Sequence, residues 1–172
     1  MIETARFLLH PLTYEQLVKY LAADGSLEKE LKLNETSRNI SPELKEALEQ
    51  SILPNVADIS KNYLYSTLWT AISKEYNMMV GDVCFKGEPN TKGEIEIGYG
   101  TYDAFQGRGF MTEVVGGIIE WVKSQPSVKV ITASTDKSNL ASGKVLQNNH
   151  FMKVSETDSE YCWMLKVDDI AI

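Results

Sequence analysis

The sequence is poor in the residues that staple small proteins. Its two cysteines, Cys84 and Cys162, form no C-x-x-C pair, so neither a disulfide framework nor a zinc-ribbon clamp is supported. The two histidines, His10 and His150, lie far apart, and no His/Cys/carboxylate cluster has ligand spacing, so no metal is expected. No apolar run approaches the roughly 18 residues of a membrane span. The opening M-I-E-T-A-R lacks a basic segment followed by an apolar run, so no secretory signal is expected and both thiols read as reduced and buried. Basic charge is also scarce: 17 Lys and Arg face 24 Asp and Glu, for a net charge of −7. That balance argues against nucleic acid and anionic membrane as partners and is compatible with a cationic substrate. With 5 prolines and 11 glycines, the chain is neither collagen-like nor a disordered linker. A cytoplasmic location is expected.

What is present is a globular mixture, 43% hydrophobic and 24% charged. A chain of 172 residues buries roughly 70% of the surface it exposes when unfolded, enough for one domain over residues 1–172 without staples. Arg6 to Leu12 reads as a strand ended by Pro11, and Thr13 caps a helix with Leu17, Val18 and Leu21 at helical spacing, stopped by Gly25. The polar stretch from Asp24 to Asn39 reads as a loop with a short helical turn. Ser41-Pro42-Glu43 starts a second helix, with Leu44, Ala47 and Leu48 as its buried stripe, which should stop before Pro54. Strands are predicted from Tyr63 to Ser73, Met78 to Lys86 and Glu94 to Thr101, with loops at 74–77 and 87–93. Gly98 and Gly100 interrupt the last of these, and glycine inside a strand marks a bulge or a close approach to the backbone.

The period then changes. Phe110, Val114, Val115, Ile118, Ile119 and Val122 fit a helix from Gly109 to Lys123, closed by Pro126. A strand from Val128 to Thr135, a helix from Ser138 to Asn149 and strands from Phe151 to Ser155 and Tyr161 to Val167 complete a mixed α/β domain.

The segment Gln106-Gly107-Arg108-Gly109-Phe110-Met111-Thr112 stands between a strand and a helix, where free N–H groups and the helix dipole favour an anion. Glycines at 107 and 109 admit a phosphate close to the backbone, or serve only a tight turn. A dinucleotide fingerprint needs a third glycine where Thr112 stands, and the Walker lysine is absent.

Gln106 to Glu113 resembles the pyrophosphate loop, Q/R-x-x-G-x-G/A, of the GNAT N-acetyltransferases. Asn139-Leu140-Ala141-Ser142, Val145-Leu146 and His150-Phe151 resemble that family's second signature, an Asn-led helix closing in Gly-Phe. Thr4 to Leu12 is similar to the T-x-R-L-x-L-R-P strand of the ribosomal-protein alanine/serine N-acetyltransferase branch, and Glu96-Ile97-Gly98-Tyr99 to its E-I-G-Y strand. The resemblance covers almost the whole chain. It implies the acyl-CoA N-acyltransferase fold, a mostly antiparallel central sheet flanked by helices. It also implies acetyl-CoA as cosubstrate and a primary amine, a protein N-terminus or a small amine, as acceptor. Three positions depart from the family pattern. Met111 replaces Gly or Ala and should leave less room beside its amide; His150 replaces the Gly, which suggests a cap with less need for a positive φ; Leu146 replaces the tyrosine that protonates the thiol in many relatives.

In such chemistry the amine attacks the thioester directly, so the protein positions both partners, takes a proton and steadies an oxyanion. The resemblance assigns Gln106, Gly107, Arg108, Gly109, Phe110, Met111 and Thr112 to the pyrophosphate, with backbone amides mattering more than Arg108. It assigns Gly98, Tyr99 and Gly100 to the pantetheine arm. Asn139 either orients that arm or only caps its helix. Glu96 is the candidate base, or an amine-orienting carboxylate; Glu94, on the same face, reads as an edge charge. Ser142 is the candidate thiol acid in place of the missing tyrosine. Glu113 reads as a helix-dipole partner. Trp69, Tyr63 and Tyr65 either wall the acceptor pocket or pack the core. The contrasting function is a catalytically weak acyl-CoA-binding module that senses or regulates. The oligomeric state is not encoded in these residues.

Overall fold

Apolar residues at every second position give the first strands a face to bury, and a sheet follows from that alternation. In a computed structural model, which describes residues 1–169, eight strands form one sheet in the order β1-β2-β3-β4-β5-β6-β8-β7. They are Ile2–Glu3 (β1), Phe7–Pro11 (β2), Leu68–Ser73 (β3), Met78–Phe85 (β4), Glu94–Thr101 (β5), Val130–Asp136 (β6), Met152–Glu156 (β7) and Glu160–Lys166 (β8). Residues 170–172 of the expected domain lie outside the described residues.

All neighbouring strands run antiparallel except β5 and β6, which pair in parallel over Glu94–Glu96 and Val130–Thr132. Beyond Glu96, β5 stays registered with β4 as far as Thr101, and β6 stays with β8 as far as Asp136, so the two part company. A wedge opens between them at the carboxyl end of β5. The strand is not broken at Gly98, as the glycines suggested: Gly98 and Gly100 pair with Cys84 and Asp82.

Among the described residues six α-helices flank the sheet: Tyr14–Ala22 (α1), Ser26–Leu31 (α2), Pro42–Ala47 (α3), Leu53–Ala57 (α4), Phe110–Lys123 (α5) and Leu140–Asn148 (α6). Thr13 and Gln16 form a full capping box on α1. The helix ends at Ala23, in the left-handed region, rather than at Gly25, which instead serves as N-cap of α2. Gln16, Leu17 and Tyr20 are its buried side, and Val18 is exposed against expectation. The expected stop before Pro54 does not occur. A π-helical turn, Leu48–Ile52, joins α3 to α4, and Pro54 sits in the first turn of α4, where its missing N–H costs nothing. The aromatic run Tyr63–Tyr65 is a 3₁₀ turn capped by Asn62, so its strand starts only at Leu68.

α5 lies across β1, β2, β4 and β5. Gly117 permits that approach, since a Cβ there would stand 2.7 Å from Thr4 Cγ2 and 3.1 Å from Leu9 Cδ1. Trp69, 1% exposed, packs at a tilt against Trp121 of α5, and Tyr65 packs on Phe85 and Trp121. Both aromatic rings therefore serve the core. Among the described residues no helix is long and apolar enough to cross a membrane.

Candidate active site

Two cavities flank the carboxyl half of β5 and share Tyr99, Gly100 and Thr101 as a common wall. One, of about 470 Å³, lies beside α5 and α6; the other, of about 320 Å³, opens toward α1 and α3.

The first cavity contains the whole Gln106–Thr112 loop together with Asn139 and Ser142. The loop arises because Gly107 and Gly109 both take positive φ, at +73° and +69°, which turns the chain sharply into α5. Gly109 is the N-cap and offers no side-chain cap, so the N-terminal amides face the cavity with the positive end of the helix dipole behind them. A Cβ built at Gly107, Gly109 or Gly100 would meet no atom within 4 Å, which leaves open space directly over the loop and the β5 edge. Arg108 rests its guanidinium 5.6 Å from the Phe105 ring and 5.9 Å from the Tyr76 ring, at the cavity rim. Met111 turns its methyl group toward Gly81 of β4, so the core takes up its bulk and the crowding expected at the loop does not arise.

Glu113, in the first turn of α5, is more than a dipole partner. It accepts from Thr4 Oγ1 at 2.7 Å, the Arg6 amide at 2.8 Å and Arg6 Nε at 2.6 Å, which ties the β1–β2 hairpin to the start of the helix. Burial opposes its charge, but these donors hold its carboxyl below the usual range.

α6 brings up the other wall. Asn139 caps it, its Oδ1 accepting the Ser142 N–H at 3.0 Å, and still lines the cavity. The Ser142 hydroxyl donates to Tyr99 Oη at 3.0 Å, and Tyr99 donates to the Ser142 carbonyl at 2.9 Å. Burial pushes the Tyr99 phenol up to about 12, against the opposing pull of Ser142. Leu146 is fully buried, so the position of the absent tyrosine belongs to the core. Asn149, unremarked in the sequence, donates to Thr112 O at 3.0 Å and Val145 O at 2.9 Å, and so locks α6 onto the start of α5. His150 follows at φ +65°, which corrects the expectation of a relaxed cap. With Phe151 N–H on Leu146 O and His150 N–H on Gln147 O, it occupies the left-handed position of a Schellman motif that a glycine would hold without strain.

The second cavity is centred on a residue that sequence reasoning missed. Asp82, in the middle of β4, is 8% exposed. Its Oδ2 accepts from Tyr20 at 2.6 Å and Tyr102 at 2.9 Å, while Oδ1 is buried with no partner. Burial raises its carboxyl above the usual range, and the two phenols, the Thr70 hydroxyl and the Arg38 charge oppose that shift. Cys84, on the same face, is pushed up to about 11 by burial. The signal in the sequence was a lone carboxylate inside the apolar strand M-M-V-G-D-V-C-F.

Glu96 is placed elsewhere. It forms an ion pair with Lys86, the residue just after β4, and lines neither cavity. Glu94 is an edge charge held by Asn90 at 2.8 Å. Gly98 to Gly100, Gln106 to Thr112, Asn139 and Ser142 border one cavity or both, whereas Trp69, Tyr63 and Tyr65 border neither.

The pattern of the acetyltransferase (GNAT) domain family matches residues 6–152. The chain is similar to an uncharacterized N-acetyltransferase, YjdG, of Bacillus subtilis, with 32% identity over 93 residues. That stretch is 54% of this chain and spans about half, 55%, of the relative. Among solved structures, the ribosomal-protein-S5-alanine acetyltransferase of Vibrio fischeri superposes with a TM-score of 0.67 at 19% identity, covering 97% of this chain and 96% of that one. RimL, a ribosomal L7/L12 alpha-N-protein acetyltransferase in complex with coenzyme A, superposes with a TM-score of 0.67 at 15% identity, covering 96% of each chain. At these identities the likeness is one of fold.

Proposed function

The chain belongs to the GNAT acetyltransferase family, and from that membership we propose that it transfers the acetyl group of acetyl-CoA to a primary amine. The observation that carries the reading is the pair of cavities meeting across Tyr99, Gly100 and Thr101 at the wedge between β5 and β6. Acetyl-CoA, the cosubstrate, supplies the activated thioester. The residues fit it: the open space over Gly107, Gly109 and Gly100 would be filled by any Cβ, and uncapped α5 amides surround it. Gln106 to Thr112 hold the pyrophosphate, chiefly by backbone N–H groups. The free edge of β5 from Gly98 to Gly100 receives the pantetheine arm, and Asn139 stands beside it. The acceptor, a small amine or a protein N-terminus, occupies the other cavity. The named acetyltransferases above act on ribosomal proteins, which agrees with an amine acceptor.

Tyr99 and Ser142 serve the leaving sulfur together. A phenol held at about 12 stays protonated at neutral pH, and by turning its O–H away from the Ser142 carbonyl it donates a hydrogen bond as charge builds on sulfur. A thiolate of ordinary acidity, with a pKa of roughly 8.5, needs no full proton transfer. Glu96 holds Lys86 and the β4–β5 pair rather than removing the amine's proton.

Thiol release from acetyl-CoA, measured against a panel of small amines and peptides, tests the reading. Turnover of at least one amine is expected; CoA binding without any turnover leaves the regulatory module instead. Tyr99→Phe should lower kcat about tenfold or more, the worth of one hydrogen bond to a charged group, and Ser142→Ala only about threefold. Glu96→Gln should stay within about threefold of the parent kcat, because a surface-paired carboxylate contributes little. A hundredfold loss there would return the proton-taking role to Glu96.

A further inference from the structure

Resting on the acetyltransferase reading and deepening it, we propose that Asp82 receives the acceptor's ammonium. The cavity around it then takes a primary amine whose body carries no carboxylate.

The first ground is the orphan oxygen. A carboxylate inside a sheet with one oxygen doubly bonded and the other buried without a partner leaves a strong acceptor unsatisfied. Thr70 faces it from the paired position on β3 without closing a hydrogen bond. Among the described residues no Lys, Arg or His lines the cavity, and the other charged group there is Asp103, exposed at the rim. The nearby cation, Arg38, lies over the Tyr20 ring and is committed to Glu28. No cation of the cavity wall serves Oδ1, and an ammonium from outside suits it.

The second ground is position. Asp82 pairs in register with Gly100, the β5 residue that borders both cavities and carries no side chain between them. The Asp82 backbone thus lies about one strand spacing, ~4.8 Å, from that of Gly100, whose far edge receives the pantetheine arm. Leu44, Leu68 and Val83 wall the rest of the cavity, matching an alkyl body, and a second carboxylate would meet Asp82 and Asp103 with no cation to pair it.

The chemistry closes. The ammonium gives one proton to the Asp82 carboxylate, whose burial favours taking it, and the freed lone pair forms the N–C bond to the acetyl carbonyl. The C–S bond breaks, its electron pair leaves with sulfur, and the second nitrogen proton passes to the thiolate. Asp82 then releases its proton to solvent.

Initial-rate kinetics at saturating acetyl-CoA test this with 1-aminobutane, 1,4-diaminobutane, 4-aminobutanoate and an alanyl peptide amide, so that amine basicity is matched among the three free amines. The wild type should favour 1-aminobutane and 1,4-diaminobutane over 4-aminobutanoate by about tenfold or more in kcat/KM. The peptide arm tells whether the ammonium comes from a small amine or a chain terminus. Asp82→Asn should lower kcat/KM for every accepted amine by about a hundredfold while leaving the CoA dissociation constant within twofold. If that variant does not fold, Tyr102→Phe, which leaves Tyr20 on Oδ2, should raise the amine KM about three- to tenfold with unchanged CoA affinity. An Asp82→Asn enzyme within threefold of wild type, an unmoved KM in Tyr102→Phe, or a preference for 4-aminobutanoate overturns the assignment. A wild type that turns over no amine overturns the acetyltransferase reading itself, and this inference with it.

Discussion

Gly109→Val is expected to weaken CoA binding by about a hundredfold, equivalent to roughly 2.7 kcal/mol. Gly109 stands at φ +69° and ψ 14°, where a β-branched residue is a true outlier and a non-glycine residue already costs about 1–3 kcal/mol. Relief of that strain rotates the peptide planes on either side, and these carry the amides of the α5 N-terminus. The new side chain also enters the open space over the loop, so strain and obstruction act in the same direction. Arg108→Ala should cost less than about tenfold, since an exposed cation resting on Phe105 and Tyr76 adds only a screened contact to phosphate. Calorimetric titration with CoA separates the two. Near-normal affinity in Gly109→Val, in a protein that melts like the parent, would remove the loop from the binding site.

That loop was readable in the sequence because its physics is local: two glycines, a strand before and a helix after. The same holds for the helix caps at Thr13 and Ser41, for α5 with its apolar stripe, and for the strands with period-two alternation. The second cavity was not readable, because Asp82 acquires its meaning from Tyr20, 62 positions away, and Tyr102, 20 positions away. No spacing rule joins those three residues; β4–β5 register and the packing of α1 do. The surroundings of Glu96 were unreadable for the converse reason. Alternation placed it on the correct face, but only the register shows Lys86 across from it. At His150 the family pattern suggested a change of backbone that never happened. A left-handed residue costs only about 1–2 kcal/mol, and two Schellman hydrogen bonds hold the turn regardless of the side chain. The run from Tyr63 failed on composition alone, since aromatic residues serve a 3₁₀ turn over a core as readily as a strand.

The largest loss of stability should follow Arg38→Met, about 3–5 kcal/mol. The Arg38 and Glu28 side chains are 2% and 3% exposed and paired with each other. Arg38 also donates to the Tyr20 carbonyl at 3.0 Å and lies 4.6 Å from the centroid of that ring. Loss of Arg38 alone strands the Glu28 charge in the interior, where Glu28 Oε2 already lacks a partner. The double variant Arg38→Met with Glu28→Leu should recover most of that loss, because two apolar side chains of similar volume need no compensation. Urea denaturation of both single variants and the double variant completes the cycle. If the double variant is no more stable than Arg38→Met, the pair is not the source of the loss. The pair also bears on the site. Arg38 fixes Tyr20, whose hydroxyl holds Asp82, and the next residue, Asn39, lines the same cavity. A double variant that regains its stability should therefore still show a raised KM for the amine at unchanged CoA affinity. The packing would be restored while the grip on Tyr20, and through it on the carboxylate, stays loosened.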